Sequence, residues 1–102
     1  MEGKLALIVS TDISIQNLLA DILSAEGCEV QTAETVAEAS SLLEDFNFDL
    51  MTVNQKLNDG NLGSDLINET KKSHPEMKTI LLSSNPRPSN FNADGFMMKP
   101  LK

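Results

Sequence analysis

Residues 5–12, LALIVSTD, decide how the rest of the chain can be arranged. The five consecutive apolar residues at 5–9 are typical of a short strand that helices cover on both faces, as in a parallel sheet. After Asp12, apolar residues recur at positions 15, 18, 19, 22 and 23, which is the spacing of one face of an amphipathic helix. The Asp12 carboxylate can accept hydrogen bonds from the free N–H groups of a first helical turn, so it is predicted to cap that helix. The stretch therefore predicts a strand followed directly by a helix.

The same alternation continues along the chain. Further strands are predicted at 28–32, 48–53, 79–82 and 96–98, and further helices over 36–46 and 62–74. Residues 83–90 are predicted to form a loop, because they include two prolines and have no helical apolar period. The order β-α-β-α-β-α-β-loop-β indicates an α/β fold in which a parallel sheet has helices on both faces. The 102 residues are expected to form one domain, 1–102.

Composition and charge exclude several classes of function. The 15 acidic and 8 basic side chains give a net charge of −7, which is the wrong sign for binding nucleic acid or an anionic membrane surface. We expect neither a membrane-spanning helix nor a signal peptide, because no apolar run of the required length or flanks occurs. The single cysteine, Cys28, cannot form an internal disulfide, so a reducing, cytoplasmic location is expected.

Polar residues follow the predicted strands at the edge where open parallel sheets bind their ligands. That edge is formed by the carboxyl ends of the strands. Ser10 and Thr11 follow the first strand, Asn54 the third, Ser83 the fourth and Lys99 the fifth. The sequence has no glycine-rich phosphate loop and no nucleophile–base pair, so we predict that the protein is not an enzyme and that none of these residues is catalytic.

The order of the segments around these residues resembles the receiver domain of two-component response regulators. The resemblance rests on residues 7–9, 48–50, 80–83, 93–96 and 99–100. It covers essentially the whole chain and implies a flavodoxin-like, open parallel sheet of five strands in the order 2-1-3-4-5.

The resemblance also assigns a role to each polar residue at the strand ends. The acidic pair that holds Mg²⁺ in the family falls on Ser10 and Thr11, and the phosphate-accepting aspartate falls on Asn54. The switch hydroxyl falls on Ser83, and the lysine that contacts the phosphoryl group falls on Lys99. Only the last two positions keep the chemistry of the family, because neutral side chains stand at all three carboxylate positions.

The missing carboxylates predict a receiver that takes no phosphoryl group. Mg²⁺ is usually bound by one or two carboxylates together with water, and an acyl phosphate forms only on a carboxylate. We therefore expect no metal site and no cofactor, with Mg²⁺ binding that is weak or absent. The predicted function is a phosphorylation-independent, receiver-like signalling module of a two-component phosphorelay that acts by protein–protein interaction.

The C-terminal part of the chain departs from the family. The interval between Ser83 and Lys99 is short for a full fourth helix, and no residues remain for a fifth helix. The fold is therefore expected to be truncated at its C-terminus, with the fourth helix lost or short and the fifth absent. Without a fifth helix, apolar surface on the side of the first helix needs another cover. We expect a protein partner, an attached effector domain or a second copy of the chain to supply it.

Two alternative functions remain open at this point. One is an active phospho-receiver that uses an offset carboxylate, either Asp12 or Asp59. The other is a small flavodoxin-like protein that binds a ligand near Asn54 and Ser83. Phosphate on one of the two aspartates would favour the first alternative, and a small molecule bound at the strand ends would favour the second.

Overall fold

The computed structural model describes residues 3–57, 60, 62–83 and 94–98. Within these residues, strands and helices alternate as the sequence predicts. The elements are β1 (Leu5–Val9), α1 (Ile13–Ala25), β2 (Glu29–Ala33), α2 (Val36–Asp45), β3 (Leu50–Asn54), α3 (Gly63–Ser73), β4 (Lys78–Ser83) and β5 (Gly95–Met98). No helix in this part of the chain has the length and apolar character needed to cross a bilayer.

The strands form one sheet in the order β2-β1-β3-β4-β5, and every neighbouring pair is parallel. The central strand is β3, which pairs with β1 on one side and β4 on the other. The predicted α/β, flavodoxin-like fold with strand order 2-1-3-4-5 is thereby confirmed. The predictions about a fourth and a fifth helix fall on residues 84–93 and 99–102, which lie outside the described part of the chain.

Successive side chains of β1, β3 and β4 enter two different cores, one on each face of the sheet. Leu7, Met51 and Leu81 belong to the core that also contains residues of α2 and α3. Their neighbours Ile8 and Leu82 belong to the core that contains residues of α1. This alternation follows from the pleat of a strand, which directs successive side chains to opposite faces. The central strands are therefore apolar on both faces, as the sequence predicts for a parallel sheet.

Asp12 caps the first helix as the sequence predicts, and a glycine follows the other end of the helix. The Oδ1 atom of Asp12 accepts hydrogen bonds from the backbone N–H groups of Ser14 and Ile15 at 3.0 and 3.3 Å. After the helix, Gly27 adopts a φ of 89°, a left-handed conformation that a residue with a Cβ atom rarely adopts. The cap and the glycine therefore fix where α1 begins and where it ends.

Two details of the predicted helices are wrong. The second helix is predicted to extend through Phe46, but α2 ends at Asp45 and the Phe46 side chain is 41% exposed. Leu18 and Ile22 are predicted on the buried face of the first helix, but they are 36% and 50% exposed. The sheet contacts mainly a single row of α1 residues spaced four apart, so side chains beside that row stay accessible to solvent.

The amino end of β5 is fastened to α3 and β4 by one carboxylate. Asp94 Oδ2 accepts hydrogen bonds from Lys71 Nζ at 2.8 Å and from the Thr79 backbone N–H at 2.9 Å. The Asp94 N–H donates in return to the Thr79 carbonyl oxygen at 2.9 Å. Lys71 Nζ also donates to the Met77 carbonyl oxygen at 2.9 Å, so its ammonium group joins three segments. These contacts position the last strand of the sheet.

The Asp94 contacts predict a specific loss of stability in acid. The Lys71 hydrogen bond and then the Thr79 N–H lower the pKa of Asp94 below its ordinary 3.8. This pKa is depressed in the folded state, so the Asp94 carboxylate stabilises the folded protein fully when the pH is above the unfolded-state pKa. This stabilisation is lost as the pH falls through the folded-state pKa. We expect Asp94→Asn to lower the free energy of unfolding by about 0.5 kcal/mol at pH 7, a small value because a 38% exposed carboxylate is screened by solvent. The gap from the unsubstituted protein should narrow as the pH falls below the ordinary Asp94 pKa of 3.8.

Urea unfolding at several pH values measures this gap. Asp21→Asn is the matched control, since it removes the same charge from an exposed position on α1. A gap for Asp94→Asn that is equally large at pH 7 and pH 3 would contradict the assigned ion pair.

Candidate functional site

Three of the five residues singled out by the sequence lie at the carboxyl ends of adjacent central strands. Val9 pairs with Val53 across β1 and β3, so Ser10 and Asn54, each one residue further, lie side by side. Asn54 pairs with Leu82 of β4, and Ser83 is the next residue of that strand. Ser10, Asn54 and Ser83 are 1%, 2% and 3% exposed, so all three residues are buried.

The other two singled-out residues contribute less to this description. Thr11 follows Ser10 in the short loop before α1 and is half-buried. Lys99 lies outside the described residues, so its predicted position near Asn54 stays a prediction.

Ser10 uses its polar atoms to build the turn between β1 and α1. Its Oγ accepts the Asp12 N–H at 3.1 Å and lies 3.3 Å from the Asp12 carbonyl oxygen, to which it donates. The Ser10 carbonyl oxygen accepts a hydrogen bond from Gln16 Nε2 at 2.8 Å, and the Ser10 N–H donates to Ala33 of β2 at 2.9 Å. The hydroxyl that stands where the family resemblance places a metal-binding carboxylate is therefore committed to the local backbone.

Asn54 and Thr52 both present buried oxygen atoms without a described partner. Leu50 belongs to the α1 core, and Thr52 and Asn54 follow it at intervals of two, so all three side chains lie on the same face of β3. Within the described residues, neither Thr52 Oγ1 nor Asn54 Oδ1 has a hydrogen-bond partner. Leaving a buried acceptor unpaired costs about 1–3 kcal/mol, so the end of β3 is a place where an incoming donor would be stabilising.

The loop from β3 to α3 holds Asn54 in place from the other side. A Cβ atom on Gly63 would clash with the Asn54 carbonyl oxygen and would lie 2.8 Å from Val53 Cγ1. Only a glycine lets the first turn of α3 pass this close to the end of β3. Gln55 completes the junction: its carbonyl oxygen accepts the Gly63 N–H at 2.8 Å, and its Oε1 accepts the Ser64 N–H at 2.8 Å. Sequence reasoning assigned no role to Gln16 or Gln55, because amide side chains carry no periodic signal.

The donor set at this edge does not fit a Mg²⁺ ion. Ser10, Thr11 and Asn54 provide hydroxyl and amide oxygens, whereas Mg²⁺ sites in proteins normally include carboxylates. The nearest carboxylate in sequence, Asp12, accepts two N–H groups at the start of α1. Asp59, the other acidic residue considered, lies outside the described residues. In the described part of the chain, no group of three or more His, Cys, Asp or Glu residues is arranged to hold a metal ion.

Comparison with known proteins identifies the family. The family model of the response regulator receiver domain matches residues 6–102. The chain is similar to a CheY-like response regulator receiver domain protein from Methanospirillum hungatei JF-1, with 32% identity and a TM-score of 0.87 over 97% of this chain and 83% of that chain. The protein therefore belongs to the response regulator receiver domain family. No curated protein matches it in sequence.

Two further relatives show receivers in different contexts. The response regulator TrrA from Thermotoga maritima, solved in complex with Mg²⁺ and BeF, is 30% identical with a TM-score of 0.84, over 95% of this chain and 87% of that chain. TrrA has also been solved in complex with the histidine kinase ThkA. In that structure the identity is 29% and the TM-score 0.79, over 95% of this chain and 86% of that chain. NtrX from Brucella abortus, solved in complex with ADP, is 30% identical with a TM-score of 0.83 over 100% of this chain but only 24% of that longer chain.

The unpaired Thr52 hydroxyl predicts that its removal stabilises the protein. Thr52 is 3% exposed and pairs across the sheet with Ile8 and Ile80, so it lies among apolar side chains. Thr52→Val keeps the shape and removes the hydroxyl, and we expect it to raise the free energy of unfolding by about 1 kcal/mol in a urea titration.

Thr79→Val is the matched control for this substitution. Thr79 is 0% exposed, and its hydroxyl exchanges hydrogen bonds with Asp94 at 3.4 and 3.5 Å. We expect this control to lose about 1 kcal/mol. Equal losses in the two variants would show that the Thr52 hydroxyl has a partner after all.

Proposed function

We propose that this protein is a receiver domain that works without phosphorylation, through contact with other proteins. The observation that carries the proposal is Asn54, a neutral and buried side chain at the end of β3 where the family resemblance places the phosphate-accepting carboxylate. An amide does not form an acyl phosphate, because its nitrogen lone pair is delocalised and its oxygen is not a carboxylate nucleophile.

Weak Mg²⁺ binding is the second part of the proposal. Ser10 and Thr11 stand at the positions of the acidic pair, and the Ser10 hydroxyl is already engaged in the turn before α1. With Asn54 as the third member, the side chains at the three carboxylate positions carry no formal charge. A divalent cation entering it would lose hydration without gaining a counter-charge.

The partners proposed for this domain are a helical signalling protein or an attached effector domain. The relative TrrA is seen bound to a histidine kinase, and the relative NtrX is a much longer chain, of which this chain matches 24%. Binding to such a protein needs a preformed surface and no chemistry at Asn54. The predicted cytoplasmic location fits these partners and stays a prediction.

The function is tested by offering the protein Mg²⁺ with acetyl phosphate, and separately Mg²⁺ with beryllofluoride. We expect no added phosphoryl mass and no NMR shifts around Asn54 and Ser83. Asn54→Asp alone should also show no Mg²⁺-dependent phosphorylation, because two neutral residues remain at the positions of the acidic pair. The combined variant Ser10→Asp/Thr11→Asp/Asn54→Asp is the positive control and is expected to gain both Mg²⁺ binding and a phosphoryl group.

Each outcome separates the competing functions. A phosphoryl group on the unsubstituted protein, located by peptide mapping to Asp12 or Asp59, would replace the proposal with the offset-carboxylate receiver. Mg²⁺-dependent phosphorylation of Asn54→Asp alone would show that Ser10 and Thr11 suffice as ligands. The Asp12 carboxylate caps α1, and this role supports the proposal over a receiver that is phosphorylated on Asp12.

Self-association on the α1 side of the sheet is a further part of the proposal. Leu18 and Ile22 are 36% and 50% exposed, and Ile80 of β4 is only partly buried on the same side. We expect sedimentation to show a concentration-dependent dimer that strengthens with salt, since each copy carries a net charge of −7. Leu18→Ser/Ile22→Ser should return it to the monomer. A monomer at all concentrations would remove this part of the proposal and leave the rest intact.

A further inference from the structure

A groove runs between α2 and α3 on the face of the sheet opposite α1. α2 packs over β2 and β1, and α3 packs over β3 and β4. Because β1 and β3 are neighbours, the two helix axes are about two strand spacings, or ~10 Å, apart. Small side chains such as Ser40, Thr70 and Ser73 line the space between them and leave it open.

The groove consists of two adjoining cavities of about 420 and 220 Å³. Both cavities are lined by Ser40, Leu66 and Glu69, so they form one continuous depression. Its α3 wall extends from Leu62 to His74, which corresponds to about 16–18 Å along a helix. This length matches about three turns of a third helix.

The groove has an apolar floor. Leu43 and Leu66 are 8% and 6% exposed and belong to the core beneath α2 and α3. Val36 packs against the same core, and Leu62 is 42% exposed at one end of the groove. The lining therefore offers apolar contacts to a side chain that enters between the helices.

The walls of the groove carry negative charge. Glu44 of α2 and Asp65 and Glu69 of α3 line it, and all three residues are exposed. α2 contains no basic residue. The two lysines of α3 do not line the groove: Lys71 is bound to Asp94, and Lys72 contacts Glu69 only through an exposed pair at 3.7 Å, which is worth little. The charge of the walls is therefore largely uncompensated.

We propose that the α2–α3 groove binds a cationic amphipathic helix of a partner protein. The apolar stripe of such a helix contacts Val36, Leu43 and Leu66, and its lysine or arginine side chains face Glu44, Asp65 and Glu69. An extended segment is disfavoured, because both walls are helices whose backbone groups are already paired and cannot extend a sheet. The proposal rests on the protein-contact function proposed above, but it is independent of the chemistry at Asn54.

The probe is a synthetic helical peptide of about 14 residues, with leucines spaced three and four apart and lysines or arginines flanking them. Its binding to the full chain is measured by fluorescence anisotropy without Mg²⁺ or acetyl phosphate, and the contacted residues are identified by NMR shifts. We expect binding that weakens with salt, with shifts at the residues that line the groove. A peptide with glutamates in place of the basic residues should not bind.

Charge reversal locates the binding surface. Glu44→Lys/Glu69→Lys is expected to weaken binding at least about tenfold, since both carboxylates line the groove. Asp21→Lys/Glu26→Lys makes the same change in net charge on and just after α1, and should change binding less than about threefold. Circular dichroism of both variants confirms that they are folded, which is expected because all four side chains are exposed.

Several results would overturn the proposal. Equal weakening by the two double variants would show attraction to net charge alone, and shifts confined to α1 would place the peptide on the other face. Groove shifts that appear on raising the protein concentration without peptide would identify a second copy as the occupant. Absence of binding at millimolar peptide would also reject the groove, while leaving the phosphorylation test of the proposed function unaffected.

Discussion

The close approach of Gly63 to the carbonyl group of Asn54 fixes the geometry of the strand-end edge. It brings the first turn of α3 against the end of β3 at a distance that any side chain on residue 63 would prevent. The hydrogen bonds from Gly63 and Ser64 to Gln55 depend on this approach, and so does the start of α3. The helix that forms one wall of the α2–α3 groove is thus positioned by the same contact that encloses Asn54.

The fold was largely predictable because local patterns determine it. Apolar runs, the Asp12 cap and the Gly27 turn each act within a few residues of sequence, and alternation of strands and helices permits few parallel topologies. The gathering of Ser10, Asn54 and Ser83 was also predictable, since carboxyl ends of parallel strands share one edge.

Contacts between distant segments were not predictable from the sequence. Lys71 and Asp94 are separated by 23 positions, and Gln55 caps a helix that begins eight residues later in the chain, at Gly63. Such bonds depend on where loops meet after folding, and a lysine or glutamine gives the same sequence signal whether it is bound or solvated. The exposure of Ile22 depends likewise on which part of α1 the sheet contacts.

Membership of the receiver family is physically compatible with neutral side chains at Ser10, Thr11 and Asn54. The two cores are apolar and cover both faces of the sheet, so they do not depend on charged groups at the carboxyl ends of the strands. A buried carboxylate needs a cation or several donors to offset its desolvation, whereas a buried amide needs only hydrogen bonds. With neutral Ser10, Thr11 and Asn54 in these positions, the fold has no electrostatic repulsion to neutralise there.

The turn closed by the Ser10 hydroxyl has a consequence for how the domain responds to its surroundings. The junction between β1 and α1 is completed by its own side chains, so under the proposed function it keeps one shape whether divalent ions are scarce or abundant. This corner of the molecule behaves as a fixed structural element, and its geometry is set when the chain folds.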